Sequence, residues 1–491
     1  MRRWTWKGKT GIASLAVVVL LGSVVLTYFW QMRMQKPFEV NMAAMQHMSG
    51  MNGHEHGTMH NATTIGLQPT QSCEAMTEKA GNEPVREYEL TAAQHEKKLD
   101  NGQTEQVWAF NGITPGPEIR VTEGERVRIV LKNTDIKEGV TIHWHGIILP
   151  CSQDGVAGVT QEAVKPGEQF TYEFIADHPG TYWYHSHQAS SVQVEKGLLG
   201  KLIIEPLKKR LEYKQEEALL IQQLNGTWLM NGSTKSLNIQ AGPGKAVRLR
   251  MINAANETET ISVNGAAYRI IAMDGHDLHE PGLLENVQFQ IAAGQRYDLL
   301  LRMPQEGKAI VETDSGLRAV LGAGSDPKPR SDYSLFDWTN YGAPDPLAPV
   351  GNLIIDKSYT LELGQKLFVK SINGKSFHEI PPIVVKEGQR VKLTIINNGG
   401  GDHPFHLHGH VFQVLSRNGH PLTGSSVILD TLATQEGESY EVYVMADNPG
   451  LWMMHCHNLR HSSMGMSMML NYEGISTPYR VGTKSGNLPD L

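Results

Sequence analysis

Three stretches of the sequence are written on one plan, and this repetition limits the fold more than any other feature. NGITPGPEIRVTEGERVRIVLKN begins at Asn111, NGSTKSLNIQAGPGKAVRLRMIN at Asn231 and NGKSFHEIPPIVVKEGQRVKLTIIN at Asn373. Each opens on an Asn-Gly turn, passes a second glycine-bearing bend and closes in an alternating strand that ends in asparagine. Self-similarity of this kind means related units laid end to end. The following segments agree: VKPGEQFTYEFIADHPGTYWYH from Val164 parallels TQEGESYEVYVMADNPGLWMMH from Thr434, while the middle unit keeps only IAAGQRYDLLLRM from Ile291. Period-two patterning between Gly and Pro turns predicts an all-β chain of three Greek-key β-sandwich or barrel domains, at 76–208, 209–342 and 343–480, with a C-terminal tail at 481–491.

Length and charge fit this division. A chain of 491 residues, 40% hydrophobic and 19% charged, can fill three cores of ordinary size. The net charge is −7 and Lys and Arg are scattered, which excludes a nucleic-acid partner. Residues 12–30, IASLAVVVLLGSVVLTYFW, carry no charge and follow Arg2, Arg3, Lys7 and Lys9. Such a run spans a bilayer, and the basic flank keeps residues 1–11 in the cytoplasm. The expectation is an N-terminal transmembrane anchor with the rest of the chain in the cell envelope, outside the cytoplasm. A cleaved export signal is the alternative, although Tyr28, Phe29 and Trp30 stand where small residues would mark the cut.

Residues 31–75 have neither helical nor strand period and read as a mobile tether. Met42, Met45, Met48, Met51 and Met59 alternate there with His47, His54, His56 and His60. Thioether and imidazole together suit soft copper, so copper capture is favoured over a plain linker. Of the three cysteines, Cys73 and Cys151 are the pair expected to form a disulfide if Cys456 is held by metal.

Four histidine motifs close the repeats of the first and third units: HWHG at 143–146, HSH at 185–187, HPFHLHGH at 403–410 and HCHNLRH at 455–461. Residues i and i+2 of a strand share a face, so His143 with His145, and His185 with His187, project together. One such pair is as easily a buried polar pair as a ligand pair; four at matching ends of two repeated units point to metal between them, with the middle unit as a spacer. The donors exceed what one zinc ion takes. Two histidines, one cysteine and a weak axial methionine form the blue-copper arrangement, and His403, Cys456, His461 and Met466 supply it.

In these motifs the chain resembles the multicopper oxidases, of the bacterial three-domain laccase-like or cuprous oxidase kind, from about residue 85 to 475. The resemblance implies cupredoxin-like domains and four copper ions. It matches His403, Cys456, His461 and Met466 to the type 1 site, and His143 and His406 to the type 2 site. His145, His185, His187, His408, His455 and His457 match the type 3 pair. His410 matches no ligand position and is expected to pack or to support a ligand. Cys456 would bind the type 1 copper while its neighbours His455 and His457, on the opposite face, reach the type 3 pair, giving a short covalent electron path. Asp154 aligns with an acid that relatives place near the type 2 site and is expected to supply protons or orient water. Relatives often carry a glutamate beside the histidine matched by His461; here the neighbours are Arg460 and Ser462.

The implied activity is one-electron oxidation of a reducing substrate at the type 1 copper, coupled to four-electron reduction of dioxygen to water. Two donor classes remain open. The methionine-rich tether and Met453, Met454, Met464, Met468 and Met469 near the type 1 ligands favour cuprous or ferrous ion, although methionines also fill cores, while Asp402, directly before His403, suits either a cation or a phenol. Family resemblance equally implies phenols and aromatic amines. A non-catalytic copper-binding envelope scaffold is the alternative from another class, and the complete set of ligand positions argues against it.

Overall fold

The three Asn-Gly pairs take the backbone turn that this dipeptide suits. The φ angles are +53° and +75° at Asn111 and Gly112, +49° and +78° at Asn231 and Gly232, and +54° and +69° at Asn373 and Gly374. Two successive left-handed residues make the hairpin turn whose twist matches the strands it joins. Each asparagine also ties the hairpin to the preceding strand: the side-chain oxygens of Asn111, Asn231 and Asn373 accept from the N–H groups of Thr91, Leu220 and Glu362. Their amide groups donate to the carbonyls of Glu89, Ala218 and Thr360.

The computed structural model describes residues 38–45, 71–79, 81–208, 213, 215–346, 353–366 and 369–490. Its strands form three successive pairs of sheets, four- and four-stranded, six- and six-stranded, then seven- and five-stranded. One arrangement recurs in each: the opening strand runs parallel to the strand that ends the repeat motif. These pairs are Val85–Lys98 with Arg126–Asn133, Gln215–Leu224 with Ala246–Asn253, and Lys357–Lys366 with Arg390–Asn397. The asparagines that close the motif are buried for a reason. Asn133, Asn253 and Asn397 each donate to two carbonyls of the crossing segments, pinning the link between the two sheets of each unit. A multidomain cupredoxin-like all-β fold follows.

Among the described residues no helix is long and apolar enough to cross a membrane; residues 12–30 lie outside the described residues, as do Met48, Met51, Met59, His47, His54, His56 and His60. The segment expected to be a tether is partly packed. Glu39–Val40 pairs with Val481–Gly482, and Met42 and Met45 are buried, with Asn471 donating to the Met42 carbonyl. Two apolar thioethers lacking a period still find a core when strand pairing anchors them. Cys73 and Cys151 form a disulfide that ties residues 71–75 to the loop after the first histidine motif. The C-terminal tail is likewise packed: Asn487 and Asp490 are buried polar residues. Met453 and Met454 lie opposite Met469 and Met468 in neighbouring strands, and all four are buried core side chains.

Candidate metal centre

The first and third units bring their histidine strands to one place. Strand His143–His145 pairs with Gly180–His185, setting His143 opposite His185. Strand His403–Leu407 pairs with Leu451–Cys456, setting Phe405 opposite Cys456 and His406 opposite His455. Alternation then separates two groups. Cys456 faces one way with His403 and His461, whose Nδ1 atoms lie 3.8 and 3.7 Å from its Sγ. Met466 is buried next to this group, and its carbonyl accepts from the Cys456 N–H at 3.0 Å.

His455 and His457 turn to the other group. His143 Nε2 lies 3.4 Å from His406 Nε2, and His408 Nε2 lies 3.1 Å from His455 Nε2. The ring centroids of His145 and His457 are 4.6 Å apart, those of His187 and His455 5.2 Å, and those of His185 and His457 5.4 Å. Potential ligand atoms converge in four overlapping sets: His143 with His145 and His185, His143 with His406 and His408, His187 with His408 and His455, and His145 with His406 and Asp430. His410 stands apart, bonded through Nε2 to the Tyr472 hydroxyl at 2.7 Å.

Burial sets the chemistry of these rings. It pushes the pKa values of His145, His185, His187, His408 and His457 well below the usual histidine range, and those of His403 and His406 down to about 4. Neutral imidazoles are the form that binds metal. Several ring nitrogens in this group are buried with no hydrogen-bond partner: His145 Nδ1, His185 Nε2, and both nitrogens of His187 and His457. Orphans of this kind are costly unless a metal takes the lone pair. Burial also pushes the Cys456 thiol up to about 12, so its thiolate needs a bound cation. The donor set of imidazole, thiolate and thioether fits copper.

Carboxylates orient the rings. Asp154 Oδ2 accepts from His408 Nδ1 at 2.9 Å, and its carbonyl accepts from His143 Nδ1 at 2.9 Å. Asp430 plays the same part on the other flank: its carbonyl accepts from His406 Nδ1 at 2.9 Å, and its Oδ1 lies 3.1 Å from His145 Nε2. Arg296 grips Asp430 with two bonds, of 2.7 and 2.6 Å. Although burial works against the charge, Arg296, His145 and His406 hold Asp430 well below the usual carboxylate range. Arg296 belongs to the middle unit, as does Gly294, whose φ of +85° brings its backbone against His457 and His145. The middle unit is therefore part of the wall of the histidine cluster as well as a spacer. No motif marks Asp430 or Arg296 in the sequence; the only signal is the Gly-Gln-Arg turn of IAAGQRYDLLLRM, where the repeat survives in the middle unit.

Three family models, each described as multicopper oxidase, match residues 91–209, 183–311 and 354–474, and so cover most of the chain between 91 and 474.

The chain belongs to the multicopper oxidase family.

It is 27% identical over 434 residues to the multicopper oxidase MmcO of Mycobacterium tuberculosis, covering 74% of this chain and 82% of that one. Copper resistance protein A of Escherichia coli is 24% identical over 549 residues, with 74% and 89% covered. Among solved structures, a multi-copper oxidase from Pseudomonas thermotolerans superposes with a TM-score of 0.68 at 29% identity, over 80% of this chain and all of that one. This multicopper oxidase is thus an enzyme that uses copper to couple oxidation of a reducing substrate to reduction of dioxygen.

Proposed function

We propose that His403, Cys456, His461 and Met466 hold a type 1 copper, that His143 and His406 hold a type 2 copper, and that His145, His185, His187, His408, His455 and His457 hold a type 3 pair. Bound copper supplies one-electron oxidation at the first site and four-electron reduction of dioxygen to water at the other three. The observation that carries this reading is the difference in access. His461 is part-exposed, whereas no histidine assigned to the type 2 and type 3 sites is more than 2% exposed. A donor therefore meets the imidazole edge of His461 at the surface and never meets dioxygen. Cys456 lies between its chain neighbours His455 and His457, which provide the covalent route inward. Asp154 orients His408 and His143 and supplies protons on that flank. The sheet pairs support domain boundaries at 76–208, 209–342 and 343–480.

The preferred donor in this reading is a reduced metal ion, cuprous or ferrous. Asp402 is exposed directly beside His403; partial burial and the charges of Glu438 and Glu436 raise its pKa, the mark of a locally negative surface that attracts cations. Copper resistance and copper homeostasis fit this donor, and copper resistance protein A is among the relatives. The open His461 edge favours a second reading, oxidation of phenols and aromatic amines, as the name of the related Laccase-1 of Botryotinia fuckeliana also suggests. The disulfide supports a location outside the cytoplasm, and the uncharged 12–30 run supports anchoring to the membrane of the cell envelope.

Oxygen uptake by the copper-loaded protein with cuprous ion and with a methoxyphenol tests the choice, in the parent and in Asp402→Asn. A metal oxidase prefers cuprous ion and loses about tenfold of that rate in the variant, with phenol oxidation unchanged. Preference for the phenol, insensitive to the substitution, establishes the laccase reading instead.

A further inference from the structure

The segment that joins His461 to Met466 has a side that the metal-ion donor does not use. Ser462, Ser463, Met464 and Gly465, between those two residues, form one wall of a cavity of about 250 Å³. Asp402 opens on a different cavity, toward Thr258 and Trp338 of the middle unit, and the two share no lining residue.

The other walls come from residues far apart in the chain. Phe38 is held by the pairing of Glu39–Val40 with Val481–Gly482, and its N–H donates to Thr483 Oγ1 at 3.2 Å. Its ring stacks on His378, with centroids 6.0 Å apart and planes 27° apart. His378 belongs to the turn Phe377–Glu379, and the Phe377 N–H donates to the Gly465 carbonyl at 3.0 Å, which fixes the turn to the segment between His461 and Met466. Val481 and Pro489 are buried while His378 and Glu379 are exposed, so the cavity has a closed apolar floor and a rim open to water.

One polar group stands at the floor. Asp490 is 6% exposed, and its Oδ2 accepts from the hydroxyl of Ser467, the residue after Met466, at 2.5 Å. Its Oδ1 is buried with no hydrogen-bond partner among the described residues. An unsatisfied carboxylate oxygen in such a place is costly until a donor reaches it.

Size, lining and charge limit what that donor can be. An apolar cavity of roughly 150 Å³ already holds a benzene ring, and this one is larger. A metal ion does not suit it: Met464 is the only thioether in the lining, and no lining residue belongs to a cluster of described residues able to hold an ion. A carboxylate repels an anionic guest and accepts from a hydroxyl.

We propose that this cavity binds a neutral monocyclic phenol or hydroquinone, its ring beside Phe38 and Met464 and its hydroxyl donating to Asp490 Oδ1, and that aromatic donors are oxidised from here while metal ions are oxidised on the Asp402 side. This rests on the type 1 assignment proposed above. In each step one phenol, ArOH, becomes ArO• by breaking its O–H bond; the electron crosses the short Gly465–Met466 segment to the type 1 site, and the proton leaves to water at the open rim. Four such steps supply the four electrons that one dioxygen takes up, and water returns the four protons.

Binding is tested without turnover. The copper-loaded protein is kept fully reduced under argon and titrated with para-fluorophenol, whose fluorine NMR signal reports the bound fraction. The expected result is saturable binding to one site, displaced by a methoxyphenol and not by benzoate, and weakened about tenfold in Asp490→Asn and severalfold in Phe38→Ala. In oxygen uptake, Asp490→Asn raises the KM for the methoxyphenol by a similar factor with kcat within about twofold, so that kcat/KM for the phenol relative to that for cuprous ion falls about tenfold. Absence of saturable binding to the reduced parent, or binding and KM unchanged in both variants, overturns the proposal. An equal loss with phenol and cuprous ion overturns it too, because that marks damage to the type 1 site rather than to a separate cavity. Should Asp490→Asn fail to load copper, Phe38→Ala carries the same comparison. Failure of the type 1 assignment is distinguishable, because the parent itself would then lack the blue absorption.

Discussion

Cys456 and Asp430 carry different loads at the scale of single residues. Cys456→Ser removes the thiolate and with it the path between the two groups of ligands. The expected outcome is loss of the blue absorption and of one copper per chain, with turnover reduced by more than about a thousandfold, checked by metal analysis, visible spectroscopy and oxygen uptake. Asp430→Asn removes the two-pronged partner of the fully buried Arg296 and leaves it Asp274, at 3.4 Å, as its one remaining counter-charge, which costs about 1–3 kcal/mol in equilibrium denaturation of the metal-free protein. The clustered histidines were legible in the sequence because i, i+2 spacing on strands translates directly into a shared face. Asp430 and Arg296 were not, because an ion pair between units 134 residues apart leaves no local pattern.

Turns and strands show the same division between local and non-local signals. The Asn-Gly hairpins and the strands that follow were predictable because φ > 0 at two successive positions restricts the choice of residues. The turn at Gly294 looked like a worn copy of the repeat, yet it is the point where the middle unit touches the cluster. A Cβ there would lie 2.9 Å from the His457 ring and 3.0 Å from that of His145, and φ is +85°. Gly294→Ala should therefore lower copper occupancy of the cluster severalfold while the blue absorption of the mononuclear site persists; titration with copper followed by visible spectroscopy and metal analysis checks this. Short segments outside the repeats misled in the opposite direction. Residues 38–45 have no period of their own, and they are ordered by a two-residue strand pairing of 39–40 with 481–482 in the C-terminal tail.

For the whole molecule, burying so many imidazoles has a consequence for pH. Burial lowers His403 and His406 to about 4 and His461 to about 3, against 6.5 for the free side chain. Below pH 6.5 the unfolded chain takes up protons that the folded chain refuses, so these groups cost nothing above that pH and destabilise increasingly down toward about 4. The metal-free protein should lose roughly 10 °C or more in Tm between pH 7 and pH 5, measured by calorimetry. Copper binding opposes the loss where it holds the same lone pairs, and protons in turn compete copper off. The three units, then, do more than share a fold. The first and third supply the clustered histidines, and the middle one closes the wall. In the proposed copper assignment this assembly separates donor oxidation at His461 from dioxygen reduction in the buried cluster. The most direct measurement is the amount of donor oxidised per dioxygen consumed by the copper-loaded protein, with hydrogen peroxide assayed in the same reaction. The account predicts four one-electron equivalents per dioxygen and no free peroxide; two equivalents with matching release of peroxide would contradict it.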